Sequence, residues 1–283
     1  MVMLIRKSSG ELVEFSLEKL RDSVMRAGAD GVTALRVANE VARFMTDGMS
    51  TAQLHELVNR ELARGKLCVA CRYSLREGLA KLGPGGFHFE SYVAALLGAS
   101  GYKAILPDEY LGDCVRHEID VDATKNGKRF AIEVKFRNDN RDHVQLTAVL
   151  IAHARFNDLV AGAKTGSCPV FDQAWVVTNG LFSDRAKIYA GVHGIRLVGW
   201  GYPKGQGLER MVDSSGLYPV TVLAGMSAAE LAAFADARLM LCRDLLGLEP
   251  EEVAGRTGIA LERARSLVQL AGEIVEPVTP RAS

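Results

Sequence analysis

Two short stretches in the middle of the chain alternate between apolar and polar residues. They are EIDVDA, starting at Glu118, and RFAIEVKF, ending at Phe136. Such alternation is typical of β-strands that have one buried face. Asn126-Gly127 lies between them and favours a type I′ turn, because both of its residues adopt positive φ readily. The pattern therefore predicts a β-hairpin with a two-residue turn.

The turn also sets the pairing register of this hairpin. Lys125 faces Lys128, and counting outward brings Asp120 opposite Glu133. Side chains alternate along a strand, so one face is predicted to be charged and the other apolar. The charged face holds Glu118, Asp120, Asp122, Glu133 and Lys135, and the apolar face holds Ile119, Val121, Ile132, Val134 and Phe136. We expect the apolar face to be core and the charged face to be available for chemistry.

The first 83 residues have the pattern of a hairpin followed by helices. LIRKSSGELVEF predicts two short strands around a Ser-Ser-Gly turn, and three helically spaced segments follow, namely LEKLRDSVMRAG, ALRVANEVARFM and STAQLHELVNREL. The Gly- and Pro-rich run LGPGGF, at 82–87, stops helices. We place a domain boundary there, so that residues 1–83 form the first domain.

Residues 87–201 are predicted to form a second, α/β domain. FESYVAALLGASGY reads as a helix ahead of the hairpin, and DHVQLTAVLIAHARFNDLV as a long helix after it with Asp142 as its N-cap. The strand AWVVTN, a helix from Ser183 to Gly194 and the strand IRLVGW follow. A strand–helix–strand order predicts a crossover connection and a mixed β-sheet flanked by helices.

The last part of the chain, residues 227–283, is predicted to be a small helical domain. It faintly resembles a helix-hairpin-helix or helix-turn-helix, with Pro250 in a first helical turn and Gly258 between two helices. From Tyr202 onward, however, there are 8 basic and 11 acidic residues, a poor electrostatic match for DNA. Packing or dimerisation is the first interpretation and contact with nucleic acid the second.

Composition narrows the class of protein. Lys+Arg and Asp+Glu balance at 34 each among 283 residues, so no global field favours nucleic acid or a membrane surface. No apolar run approaches the length of a membrane helix, and a cytoplasmic location is expected. The 5 cysteines are scattered, and the CxxC at Cys68 and Cys71 lacks the second half of a zinc site. Buried small side chains are the better interpretation of these two.

The opposed acids Asp120 and Glu133 point to a cation. Like charges on directly opposed strand positions are destabilising unless something lies between them, and two carboxylates with waters and a phosphate suit Mg²⁺. Lys135 adds a cation that can orient water or neutralise charge on a phosphate. The alternative is a solvated sheet face, which is what most charged alternation means. The short Ile- and Val-rich strands, and an acid facing an acid, favour the metal site here.

With the helical FE at Glu90, the HEIDV and IEVK segments resemble the PD-(D/E)xK nuclease superfamily, closest to its Mrr-type restriction endonuclease domain. The resemblance covers about 87–200. It implies a catalytic set of Glu90, Asp120, Glu133, Lys135 and, less securely, Gln145, with Mg²⁺ held by Asp120 and Glu133. The family's proline is absent, because His117-Glu118-Ile119 precede Asp120.

Residues 1 to about 83 resemble an ATP-cone, a regulatory nucleotide-binding module. IRKSSG, EFSLEKL and MSTAQLHEL carry the resemblance, which implies that Lys7, Lys19, Thr51 and His55 bind ATP or dATP. Lysines near a turn and a helix start suit phosphates, and Thr51 and His55 share one face of a helix near its positive end. The usual Lys-Arg pair reads Lys7-Ser8 here. Without the resemblance, these residues read as solvated surface.

Together these features predict an α/β protein that is a Mg²⁺-dependent DNA endonuclease regulated by ATP or dATP. RNA is an alternative substrate, and a homodimer would supply the two sites that cutting both strands needs. The alternative is a non-catalytic nucleotide-sensing regulator built on a nuclease fold. That class predicts a damaged site, whereas the Asp120, Glu133 and Lys135 set is complete.

Overall fold

The computed structural model describes residues 3–7, 10–139 and 141–276. The predicted Ser-Ser-Gly turn falls partly on Ser8 and Ser9, which lie outside the described residues, as does the departure noted at Ser8. Within the described ranges no helix is both long enough and apolar enough to cross a lipid bilayer.

The N-terminal part is a small sheet beside a helical bundle. Its strand order is β2-β1-β3, with β1 antiparallel to β2 and parallel to β3. The helices begin at polar caps: Ser16, Asp30 and Ser50 each accept a hydrogen bond from a first-turn N–H, which satisfies a backbone donor that has no partner within the helix. The elements are β1 (Leu4–Arg6), β2 (Leu12–Glu14), α1 (Leu17–Arg26), α2 (Gly31–Phe44), β3 (Met49–Ser50), α3 (Thr51–Ala63), α4 (Leu67–Tyr73) and α5 (Leu75–Ala80).

The central part is built on a mixed five-stranded sheet in the order β12-β10-β8-β7-β4. β4, β7 and β8 pair antiparallel, whereas β8, β10 and β12 pair parallel, which confirms the predicted mixed sheet. The elements are α6 (Phe89–Ala99), β4 (Lys103–Ile105), β5 (Glu109–Leu111), β6 (Arg116–Glu118), β7 (Val121–Lys125), β8 (Lys128–Lys135), β9 (His143–Val144), α7 (Leu146–Thr165), β10 (Gln173–Thr178), β11 (Leu181–Phe182), α8 (Asp184–Val192) and β12 (Arg196–Val198).

The predicted hairpin register is confirmed from Val121 to Lys125, whereas Asp120 lies outside the paired strand. Lys125 pairs with Lys128 and Val121 with Ile132, and the turn residues Asn126 and Gly127 have φ of 53° and 74°. These positive angles are those of a type I′ turn.

The predicted alternation fails at the start of the hairpin. β7 begins at Val121, and Glu118 belongs to β6, where it pairs with Glu109 instead of facing the acids. Ile119 and Asp120 lie between the two strands, so the two-residue period is broken there. Ile119 consequently packs with Ala131, on the face that also carries Glu133, and not with the apolar face.

Both faces of the sheet are covered, so neither is the open face that alternation predicts. α6 and the C-terminal helices pack on Val121, Ile132 and Val134. α7 and α8 cover the other face through residues such as Val149 and Ala186. Functional side chains must therefore lie at the ends of the strands.

The long helix α7 begins later than predicted. Its N-cap is Gln145, not Asp142, and the Gln145 side chain makes no capping hydrogen bond. The reason is that His143 and Val144 are held extended by parallel pairing with β11. Ser183, by contrast, caps α8 as predicted.

The C-terminal helices share a core with the sheet. They are α9 (Leu208–Ser215), α10 (Ala228–Asp236), α11 (Pro250–Thr257) and α12 (Leu261–Val275), with 3-10 turns at Val220–Val222 and Cys242–Leu245. Leu75, Leu79 and Leu82, which precede the predicted boundary, pack in the same core as Ile132 and Phe234. A separate N-terminal core holds residues such as Val37, Val41 and Leu62. The domain limits at 83, 87, 201 and 227 stay predictions.

Candidate active site

Asp120 lies in the two-residue connection between β6 and β7, and a hydrogen bond holds its side chain beside the end of β8. Its Oδ2 accepts a hydrogen bond from the Val134 N–H at 2.6 Å. Burial raises the pKa of Asp120 from its ordinary 3.8 to about 6; the Val134 N–H acts against this rise, and the charge of Glu133 adds to it. Asp120 is thus a carboxylate whose negative charge the protein does not fully compensate.

Glu133 lies near the end of β8 and is only 6% exposed. One carboxylate oxygen accepts a short hydrogen bond from Lys135 Nζ. The other accepts one from Arg155 Nη1 of α7 at 2.9 Å. A buried carboxylate requires such partners, and here two cations fix the orientation of its oxygens.

Asp122 shares the predicted acid face but serves a different purpose. It is 1% exposed and accepts from Arg129 Nε at 2.9 Å and from the Tyr110 hydroxyl at 2.6 Å. Because Arg129 compensates its charge, we interpret Asp122 as a structural carboxylate.

Glu90 and Gln145 lie at the starts of two helices. Glu90 is half-buried in the first turn of α6, where the helix dipole favours a negative charge, and its charge also raises the pKa of Asp120. Gln145 is exposed, and its Nε2 donates to the His143 carbonyl at 3.3 Å. Glu90, Asp120 and Glu133 are not among the described residues whose potential ligand atoms gather in threes within 4.8 Å.

The described part of the chain has one such three-group cluster, Asp113, Cys114 and Asp158. Asp158 there accepts from the Cys114 N–H at 3.0 Å and bonds to His117 Nε2 at 2.7 Å. Desolvation acts to raise the pKa of Asp158, but the hydrogen bonds from Cys114 and His117 outweigh it and hold the pKa at about 2. We interpret the cluster as a structural contact that holds the β5–β6 loop against α7.

Asp120 and Glu133 fit a hard divalent cation by the chemistry of their donors. Both offer carboxylate oxygens, the ligands that Mg²⁺ prefers, and the raised pKa of Asp120 reflects a charge that a cation would compensate. The remaining ligands would come from water and substrate, as is usual for this ion.

Sequence reasoning missed Arg155, and the pattern of α7 contains a signal for it. Arg155 lies three residues after Ala152 and four before Leu159, both buried. It therefore occupies a core-facing position of the helix. A charged residue inside such a stripe indicates a buried partner, here Glu133.

Thr178 and Asn179 at the end of β10 were also missed. Both are 0% exposed. Thr178 Oγ1 donates to the Lys135 carbonyl at 2.6 Å, while Asn179 bonds to both the N–H and the carbonyl of Arg137 at 2.7 and 2.8 Å. They hold the chain just beyond Lys135 and so fix the position of its side chain.

The predicted nucleotide-binding residues lie on three elements of the N-terminal part. Lys7 follows β1 and Thr51 follows β3, and these strands pair in parallel, so the two residues are neighbours. Lys7 forms an exposed ion pair with Glu11 at 2.9 Å. Lys19 is exposed in the first turn of α1.

His55 lies one turn beyond Thr51 and faces the next helices. Its ring stacks on Tyr73 with centroids 4.9 Å apart, and its Nε2 is 3.3 Å from Glu77. Burial lowers the pKa of His55; Glu77 acts against this, and the charge of Arg141 adds to it. Arg141 belongs to the segment that follows β8, so this segment contributes to the electrostatic environment of His55.

Models of known families match three consecutive parts of the chain. They describe an ATP cone domain at 3–78, a restriction endonuclease domain of the Mrr type at 84–201, and an AF1548-like C-terminal domain at 218–275. The predicted fusion of an ATP-cone to an Mrr-type domain is confirmed. The C-terminal match was not anticipated.

Two related proteins support the same assignment. An uncharacterized protein of Archaeoglobus fulgidus is 36% identical over 183 residues, which is 65% of this chain and 99% of that protein. The crystal structure of AF1548, a protein of unknown function, has a TM-score of 0.54 at 35% identity and covers 66% of this chain and 96% of its own.

Proposed function

This chain belongs to the AF1548-like family and carries an ATP-cone and an Mrr-type restriction endonuclease domain, and we propose that it is a Mg²⁺-dependent DNA endonuclease. The observation that carries this proposal is the meeting of Asp120, Glu133 and Lys135 at one end of β7 and β8. The charge of Asp120 is only partly compensated there, and the side chain of Lys135 is 33% exposed.

Each residue has a role in phosphodiester hydrolysis under this proposal. A cation held by Asp120 and Glu133 would supply Lewis-acid stabilisation of a phosphate. The Lys135 ammonium orients the attacking water or neutralises charge that develops on phosphate oxygens. Arg155 is a positioning residue, because its bond to one Glu133 oxygen leaves the other directed toward Lys135.

One observation favours the alternative of a non-catalytic regulator. Both oxygens of Glu133 already bond to cations, so an incoming Mg²⁺ must compete with Lys135. Cleavage of supercoiled plasmid with Mg²⁺, with and without ATP, distinguishes the two functions. Glu133→Gln and Lys135→Ala should each lower the rate by about 10²-fold or more, as losses of transition-state stabilisation do.

Glu118→Gln is the matched control, because Glu118 is an exposed acid of the neighbouring β6. The Glu118→Gln protein should cleave at the wild-type rate. Cleavage by the Glu133→Gln and Lys135→Ala proteins at the wild-type rate contradicts the site assignment. Absence of cleavage by the wild type on DNA and on RNA favours the regulator.

For Arg155, a positioning role predicts that Arg155→Ala weakens Mg²⁺ binding, measured by calorimetry, as well as cleavage. Arg155→Lys should restore part of both, since it keeps the positive charge near Glu133. Unchanged Mg²⁺ affinity in Arg155→Ala contradicts this role.

We further propose that ATP or dATP binds the N-terminal part through Lys7, Lys19, Thr51 and His55 and regulates cleavage. Support comes from the ATP cone match over 3–78. In calorimetry with the full chain, Lys19→Ala and His55→Ala should weaken ATP binding, whereas Lys66→Ala, at another exposed lysine, should not. The absence of heat with ATP, dATP and ADP rejects this assignment.

A cytoplasmic location and a homodimer are further parts of the proposal.

A further inference from the structure

A second recess lies away from the acid site and has a different chemistry. It is a cavity of about 900 Å³ between the C-terminal end of α1, the β10–β12 side of the sheet, α9 and the end of α12. We call it the basic cleft, after its five cationic lining residues, Arg26, Lys125, Arg196, Arg210 and Arg243.

The basic cleft is distinct from the sites described above. None of Glu90, Asp120, Glu133 and Lys135 lines it, and neither do the four predicted nucleotide-binding residues. Lys125 lies five positions along the chain from Asp120, about 16 Å at the rise of a β-strand. Trp175 of the cleft pairs with Ile132 in the sheet, so its side chain lies on the face opposite Glu133.

The charges of the cleft are unbalanced. The five cations face two lining acids, Asp213 and Glu276. Within the described residues, no carboxylate oxygen lies within 4.0 Å of the charged nitrogens of Arg26, Lys125, Arg196 or Arg243, and Arg210 reaches Asp213 only at 4.0 Å. Like charges gathered in a recess repel one another, so an anionic ligand would be stabilised there.

Two of the cations are held in place by carbonyls at helix ends. Lys125 Nζ donates to the Ser100 carbonyl at 2.7 Å after α6, and Arg243 Nη2 donates to the Ser215 carbonyl at 2.8 Å in α9. These carbonyls carry the partial negative charge of helix C-termini, which offsets part but not all of each positive charge. The hydrogen bonds also fix the side chains without using all of their donors.

Of the five cations, Arg196 is the one best positioned to bind a phosphate group. Its guanidinium carbon is 4.5 Å from the centre of the Trp175 ring. Stacking uses the flat face of the group and leaves its two terminal nitrogens for a forked interaction with phosphate. Its Nε is buried and is therefore not one of the donors offered to a ligand.

Size distinguishes between classes of anion. A volume of about 900 Å³ is that of a small-molecule pocket. Duplex DNA is instead bound along extended surfaces by dispersed phosphate contacts. We propose that the basic cleft binds a small polyphosphate anion of the size of a nucleoside triphosphate, with Arg196 and Arg210 as its principal phosphate ligands.

The test uses the tryptophan next to Arg196. The chain has two tryptophans, so Trp200→Phe leaves Trp175 as the single fluorescent reporter of the cleft. The full-length Trp200→Phe protein is titrated with inorganic tripolyphosphate and with ATP, and calorimetry on the wild type repeats the measurement without the substitution.

We expect a saturable fluorescence change whose Kd rises about tenfold or more in Arg196→Ala and in Arg210→Ala, because each loses a charge-assisted hydrogen bond. Arg185→Ala, at an exposed arginine of α8 outside the cleft, should keep the wild-type Kd. Arg210 is half-exposed at 52%, so its variant tests the site without disturbing the core.

Three outcomes overturn the proposal. One is the absence of saturable binding of both tripolyphosphate and ATP. Another is a Kd that Arg196→Ala and Arg210→Ala leave unchanged, or that Lys19→Ala alone raises. The third is a Trp175 response to duplex DNA in the absence of any response to the small anions, which would assign the cleft to a nucleic acid instead.

Discussion

The partly compensated charge of Asp120 leads to an unusual expectation, that removing a carboxylate of the candidate active site stabilises the metal-free protein. Asp120→Asn keeps an oxygen for the Val134 N–H but removes the charge whose burial is unfavourable. Proteins place such strained charges at functional sites, where they perturb pKa values. The substitution therefore separates a functional carboxylate from a structural one.

The magnitude and its pH window follow from the pKa of Asp120. A rise of the pKa from 3.8 to about 6 corresponds to a loss of about 3 kcal/mol in the free energy of unfolding, at about 1.4 kcal/mol per pH unit. Solvent screening of this half-buried group reduces the loss to about 1–2 kcal/mol. Between those pH values the folded wild type holds more protons than the unfolded chain. Its free energy of unfolding therefore falls as the pH rises from about 4 to about 6. The free energy of unfolding of Asp120→Asn should not fall in this pH range, because the variant has no carboxyl group at this position.

Urea denaturation in EDTA at pH 4 and at pH 7.5 measures the effect. Asp120→Asn and wild type should be equally stable at pH 4, and the variant should be more stable by about 1–2 kcal/mol at pH 7.5. Mg²⁺ at a hundred times its Kd should then stabilise the wild type by about 2.7 kcal/mol and the variant by much less.

Asp122→Asn is the matched control. It lies two residues away and is buried, but it is paired with Arg129, so its loss should destabilise by about 3 kcal/mol at pH 7.5. Two results contradict an unfavourably buried charge at Asp120. One is that Asp120→Asn is less stable than wild type at pH 7.5 without metal, and the other is a stability difference that does not change between the two pH values.

Three further predictions concern stability. The Arg72 guanidinium donates to three main-chain carbonyls at the end of α12, so Arg72→Ala should lower the free energy of unfolding in urea by about 2–4 kcal/mol and Arg72→Lys by less. An unchanged free energy of unfolding in Arg72→Ala contradicts this. Gly78→Ala should cost about 1–3 kcal/mol by overpacking, since the new Cβ would lie 2.6 Å from Val222 Cγ1; an unchanged denaturation midpoint would show that the contact relaxes. The hydrogen bond from Arg263 holds the pKa of Glu230 at about 2, so its contribution is present above pH 4.5 and lost as the pH falls through 2. Glu230→Gln should accordingly have a lower Tm than wild type at pH 7, with the gap closing near pH 2, and a constant gap argues against the ion pair.

Local patterns determined much of the hairpin and the helix starts. Asn126-Gly127 set the register because a two-residue turn leaves no alternative pairing for the strands beside it. Ser183 capped its helix because the hydrogen bond that it accepts reaches only three residues ahead. The ATP-cone and nuclease resemblances rest on short motifs of the same local kind, and both are confirmed over 3–78 and 84–201.

The tertiary structure decided which charges the protein neutralises. Asp120 and Asp122 look alike in the sequence, but Arg129 and Tyr110 meet only the second. Glu133 has an additional partner, Arg155, that lies 22 positions away on α7. The basic cleft likewise exists only because α1, the sheet and α12 meet. A sequence pattern reports interactions between residues a few positions apart, whereas these partners are brought together by packing between elements far apart in the chain.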